Sequence, residues 1–134
     1  MFKQTLFLTF AVAVPAFAQE PNVQDGRDTF MSHCAQCHGA SASGNGPMAE
    51  LLAISIPDLT RLAAENSGVF PLYAVARQID GRNALLAHGG EMPIFGRFLE
   101  TDQVVAFRLP SGQVMMTSQP LANLIVYVES LQQN

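Results

Sequence analysis

The sequence predicts an all-α domain with one small β-hairpin set before its C-terminal helix. Three observations carry this reading. From Leu121, the apolar positions Leu121, Leu124, Ile125, Val128 and Leu131 recur at helical spacing and mark one buried face. A second helical run from Pro71 through Ile79 is followed by Gly81, a natural stop. Between Val104 and Thr117, β-branched and apolar residues flank a turn of Pro110, Ser111 and Gly112, the pattern of a hairpin.

The chain has 134 residues, the length of one domain. Hydrophobic residues make up 49% and charged residues 13%, which excludes a disordered polar chain. Seven Lys and Arg stand against eleven Asp and Glu, so a phosphate-backbone footprint is absent and nucleic acid is not an expected partner. The first eighteen residues stand apart from the domain at 19–134. Lys3, an apolar run from Leu6 to Val14, and small residues at Ala16 and Ala18 match a secretory leader cleaved after Ala18. The run is short for a bilayer crossing, which needs about 20 residues. The expected product is a mature periplasmic chain without a membrane span.

Along the rest of the chain, Ser41–Gly46 reads as a small-residue loop. Short helical pieces are expected at Pro47–Ala53 and Leu59–Glu65, with Asp58 capping the latter. Ser118 is placed to cap the last helix, and Pro120 is tolerated in its first turn. The hairpin should lay one face on the core, since an isolated one is marginal in water.

Cys34-Ala35-Gln36-Cys37-His38 carries the chemistry. C-x-x-C alone fits a redox dithiol, half a zinc site or haem attachment. Histidine directly after the second cysteine favours haem. On one helical turn both thiols face one side, where each can take a haem vinyl group as a thioether, and the imidazole can ligate iron. Zinc would need two further ligands, and no second cysteine pair exists. A sixth iron ligand could come from Met31, Met48, Met92, Met115, Met116, His33 or His88. Met92 lies among Gly89, Gly90, Pro93 and Gly96, in an irregular loop suited to presenting a thioether.

Cys34 to His38 together with Met92 resembles the cytochrome c family with one haem and His/Met ligation. The resemblance extends to Asp25–Phe30, like the family's first helix with its glycine and aromatic, and to Leu124–Val128, like its last helix with an aromatic at Tyr127. It implies four to five helices around one haem c attached through Cys34 and Cys37. It also implies a crossing of first and last helices at Gly26, with the hairpin as an addition. His38 would give its second ring N–H to the carbonyl of a downstream proline, with Pro47 the expected counterpart. Arg61, Tyr73, Arg77 and Arg82 are the candidates for meeting the haem propionates.

A haem iron with two strong axial ligands leaves no position for substrate, so the resemblance implies an electron carrier and not an enzyme. Its partners would be redox proteins, and the acidic balance suggests a basic patch on at least one of them. Two other readings share the motif. One is a haem subunit bound permanently to a dehydrogenase or oxidase. The other is a gas-binding or peroxidatic protein with an open sixth position.

Overall fold

The computed structural model describes residues 20–82 and 92–133. The expected leader at 1–18, His88 and the first half of the Met92 loop lie outside the described residues.

Asn22 starts helix α1 (Val23–His33): its side chain accepts from the Gln24 and Asp25 amides, which a helix start otherwise leaves unpaired. Cys34 joins α1 to a single helical turn, α2 (Ala35–His38). The piece expected at Pro47–Ala53 is only one tight turn, Ala49–Leu51. The Met48 amide bonds back to the Gln36 carbonyl of α2, and the tight turn follows it. The next segment forms as expected. Asp58 accepts from the Thr60 amide and hydroxyl and starts a tight turn, Leu59–Arg61, that passes into α3 (Leu62–Glu65). Helix α4 (Leu72–Asp80) begins after Pro71 and ends on Gly81, whose φ of 65° suits a residue without a side chain.

Strands β1 (Val104–Arg108) and β2 (Val114–Ser118) pair antiparallel, with Phe107 opposite Met115 and Val104 opposite Ser118. Val105 is buried, and Phe107 and Met115 pack on the core from the same face. The alternate face, with Val104, Val114 and Met116, is exposed. Helix α5 (Gln119–Ser130) follows at once. Ser118 holds the cap position as expected, but its side chain makes no cap bond. It also ends β2 opposite Val104, and the Gln119 amide that opens the helix is taken by the Gln103 carbonyl.

The core is built on α5. Leu121, Leu124, Ile125 and Val128 are buried, the stripe read in the sequence, and Leu131 packs at its edge. Helix α1 crosses α5 at Gly26, where a Cβ would strike the Asn123 carbonyl and stand 2.8 Å from Tyr127 Cβ. Phe30, one turn further on, meets the Tyr127 ring at 5.3 Å. The buried Asn123 side chain closes the crossing, accepting from the Asn22 amide at 2.8 Å and from Gln119 Nε2 at 2.9 Å. Ala76 and Ile79 bring α4 onto the same core. At the far end, Gln132 accepts from the Ala63 amide and donates to the Leu59 carbonyl, tying the segment around α3 to the end of α5.

Two stability outcomes follow from this crossing. Gly26→Ala forces the helices apart and should lower stability by about 1–3 kcal/mol, read as a drop in thermal midpoint by circular dichroism. Asn123→Ala strands the Asn22 and Gln119 donors and should cost about 1–3 kcal/mol, while Asn123→Asp, which keeps an acceptor, recovers most of it.

Candidate functional site

The attachment turn is an extension of α1, so the α1–α5 crossing fixes where it sits. Within it, the Cys37 and His38 amides both donate to the Cys34 carbonyl. Cys34 and Cys37 are half-buried free thiols. A strap then passes over the turn. The Gly46 amide donates to the Cys37 carbonyl at 3.1 Å and the Met48 amide to the Gln36 carbonyl at 2.9 Å. A side chain at Gly46 would run into those two carbonyl groups, so glycine is what lets the strap lie this close. The Gly44 amide donates to the His38 carbonyl, and the Leu59 amide donates to the Ala42 carbonyl. The loop is thereby closed against the turn.

His38 is buried, 8% exposed. Burial pushes its pKa down, and the Pro57 carbonyl acts in the opposite sense. The net effect favours a neutral imidazole, the form that ligates a metal. Its Nδ1 is buried without a completed hydrogen bond among the described residues, although the Pro57 carbonyl is near enough to raise the ring's proton affinity. This corrects the expectation for Pro47. Pro47 is exposed in the strap that crosses the Gln36–Cys37 peptides, and the proline carbonyl beside the ring comes from the returning segment.

The Cys34 thiol is pushed up to about 11, first by burial and then by the neighbouring Cys37. Dithiol redox sites need the reverse, a thiol whose pKa is lowered. For zinc, no group of three or more His, Cys, Asp or Glu side chains is assembled among the described residues. Neither observation speaks for a dithiol or a zinc site, and the histidine that follows the second cysteine favours haem attachment. The residues fit that group: two unpaired thiols on one turn, followed by a buried imidazole with an unfilled ring nitrogen.

The sulfur candidates separate by burial. Met31, Met48 and Met116 are exposed, and His33 is an exposed ring set edge-on to Phe98 at 4.6 Å. Met92 and Met115 are partly buried against the core that also receives Cys34 and Ala35. Met115 lines a cavity of about 960 Å³ between Phe70–Tyr73 and the hairpin tip, and Cys34, Cys37 and His38 are not part of its lining. Met92 is held differently. Just beyond it, the Phe95 and Gly96 amides donate to the Ile79 and Asp80 carbonyls at the end of α4.

The four residues expected near propionates are spread over separate pairings. Arg61 is exposed beside Glu65 at 3.9 Å. Arg77 stacks over the exposed Tyr73 ring at 5.5 Å. Arg82 is committed to Asp80 at 2.8 Å and Glu100 at 3.1 Å. The structure does not bring them into one cluster.

Among known proteins, a family model described as Cytochrome c matches residues 23–132. No curated protein and no solved structure matches the chain. The match covers every described helix and strand and contains the attachment turn, the strap and Met92, and with it the chain belongs to the cytochrome c family of haem electron-transfer proteins.

Proposed function

We propose that this chain is a small periplasmic electron carrier. It would hold one haem c through Cys34 and Cys37, with His38 and Met92 as the axial residues. The observation that carries the reading is the turn Cys34–His38, where two free thiols lie beside an imidazole that burial keeps neutral. When bound, the haem supplies a one-electron couple, and a thioether ligand favours its reduced state.

The polypeptide's part is positioning and exclusion. Cys34 and Cys37 fix the group on the end of α1, so its place depends on the helix crossing. The strap from Gly44 to Met48 holds the turn by backbone hydrogen bonds, and the Pro57 carbonyl beside the ring would orient His38. The bonds from the Phe95 and Gly96 amides tie the chain just beyond Met92 to the end of α4. A site held by such backbone bonds would change little between charge states, which is what rapid electron transfer requires. Export rests on the leader at residues 1–18. No helix among the described residues is long and apolar enough to cross a membrane.

Visible spectroscopy of the exported protein tests the reading. It should be coloured, cycle reversibly between oxidised and reduced spectra, and keep its haem after denaturation in acidified organic solvent. Cys37→Ser should lose most of the bound haem and, with it, most of the folded population by circular dichroism. Met92→Ala should lose the weak sulfur-to-iron band in the red and gain carbon monoxide binding in the reduced state, whereas Met115→Ala should keep the band. A Met92→Ala protein with an unaltered spectrum would remove Met92 from the site.

A further inference from the structure

From Thr29 to Pro57 the chain carries one formally charged side chain, Glu50, and from Met92 to Gly96 it carries none. These two stretches hold the attachment turn, its strap and the second half of the Met92 loop, which Glu91 precedes. The acidic groups behind the net charge of −4 lie elsewhere, several of them beside arginines: Asp28 with Arg27, Glu65 with Arg61, Asp80 and Glu100 with Arg82. The strap is also greasy where it faces water. Leu51 is 76% exposed, Met48 41% and Leu52 38%. These side chains are joined directly to the attachment turn, because the Met48 amide bonds to Gln36 and the Leu51 amide bonds to Met48.

We infer that Met48, Leu51 and Leu52 form the docking surface for a redox protein whose own redox centre is rimmed by apolar, uncharged residues. This rests on the electron-carrier reading, which requires a partner to come close to the attachment turn. Such a partner is what covers the exposed leucines, and it does so intermittently, as expected of small transient interfaces. Among the described residues of this face, a basic patch on the partner would find Glu50 alone to meet, and the rest of it would be desolvated without compensation. Recognition therefore comes from removing apolar surface from water, and salt has little hold on it. The basic partner patch suggested by net charge does not apply to this surface.

Electron self-exchange between copies of the haem-loaded protein supplies a defined probe, since each copy presents the same uncharged face to the other. One electron leaves a reduced copy and enters an oxidised one, and no atom or proton moves. The rate, read from NMR exchange broadening, should change by less than about twofold between 0.1 M and 1 M salt, where the Debye length falls from about 10 Å to about 3 Å. Leu51→Ser with Leu52→Ser should slow it about tenfold at both salt concentrations by deleting apolar contact area. Leu51→Glu should slow it more at the lower salt than at the higher. A second readout needs no electron flow: in the fully reduced protein, the Leu51 and Leu52 methyl resonances should shift with protein concentration. A double variant exchanging at the wild-type rate, a steep salt dependence in the wild type, or concentration-independent leucine methyls would each overturn the assignment. A protein that does not cycle reversibly between oxidised and reduced spectra would instead fail at the carrier reading, and this inference would fall with it.

Discussion

Helices α1 and α5 approach so closely at Gly26 that no side chain fits between them, and most of the architecture hangs from that contact. Cys34 follows α1 without an intervening loop, so any widening of the crossing would displace both thiols. The contact also brings Asn123 within reach of the Asn22 amide and sets Phe30 on Tyr127. Around it, Leu124 and Ile125 are fully buried, each worth roughly 1.5–3 kcal/mol of apolar transfer. Helix α4 packs on the same core, and the loop bearing Met92 is bonded to its end. The two proposed axial residues thus come from different parts of the chain but share one reference body, α5.

The electrostatics around the attachment turn are quiet by construction. His38 is kept neutral mainly by burial, with the Pro57 carbonyl working against that effect. Cys34 is held as a thiol for the same primary reason. The described ion pairs lie on α1, beside α3 and at the end of α4, near the surface, where such pairs contribute little to stability. Separating charge from the site leaves packing and backbone hydrogen bonding to define its shape.

Much of this was legible in the residues. The apolar stripe of α5, the Gly81 stop, the Asp58 cap and the hairpin are local properties, and each formed where pattern placed it. The attachment motif is equally local, because its chemistry fits in five consecutive positions. What was not legible depended on return paths through space. Pro47 and Pro57 are both plausible by sequence distance from His38. Only the bonds of Gly44, Gly46 and Met48 to the turn show that the chain passes outside it first and comes back to the ring ten residues later. The reach of Arg82 to Glu100, eighteen residues on, has the same origin, whereas its pairing with Asp80 and that of Arg61 with Glu65 are local. Ser118 shows a local signal overridden: a good capping residue was used to finish a strand.

The hairpin also bears on colloidal behaviour. Its two strands make a sheet with no further strand on either side among the described residues, and Val104, Val114 and Met116 look outward from it. Such a ribbon is a template for unwanted strand addition in a crowded compartment. Arg108 at the end of β1 and Pro110 just beyond it are the features that oppose this, one by charge and the other by lacking an amide hydrogen. Homologues that lengthen this ribbon without such gatekeepers would be expected to pay in solubility before they lose their fold.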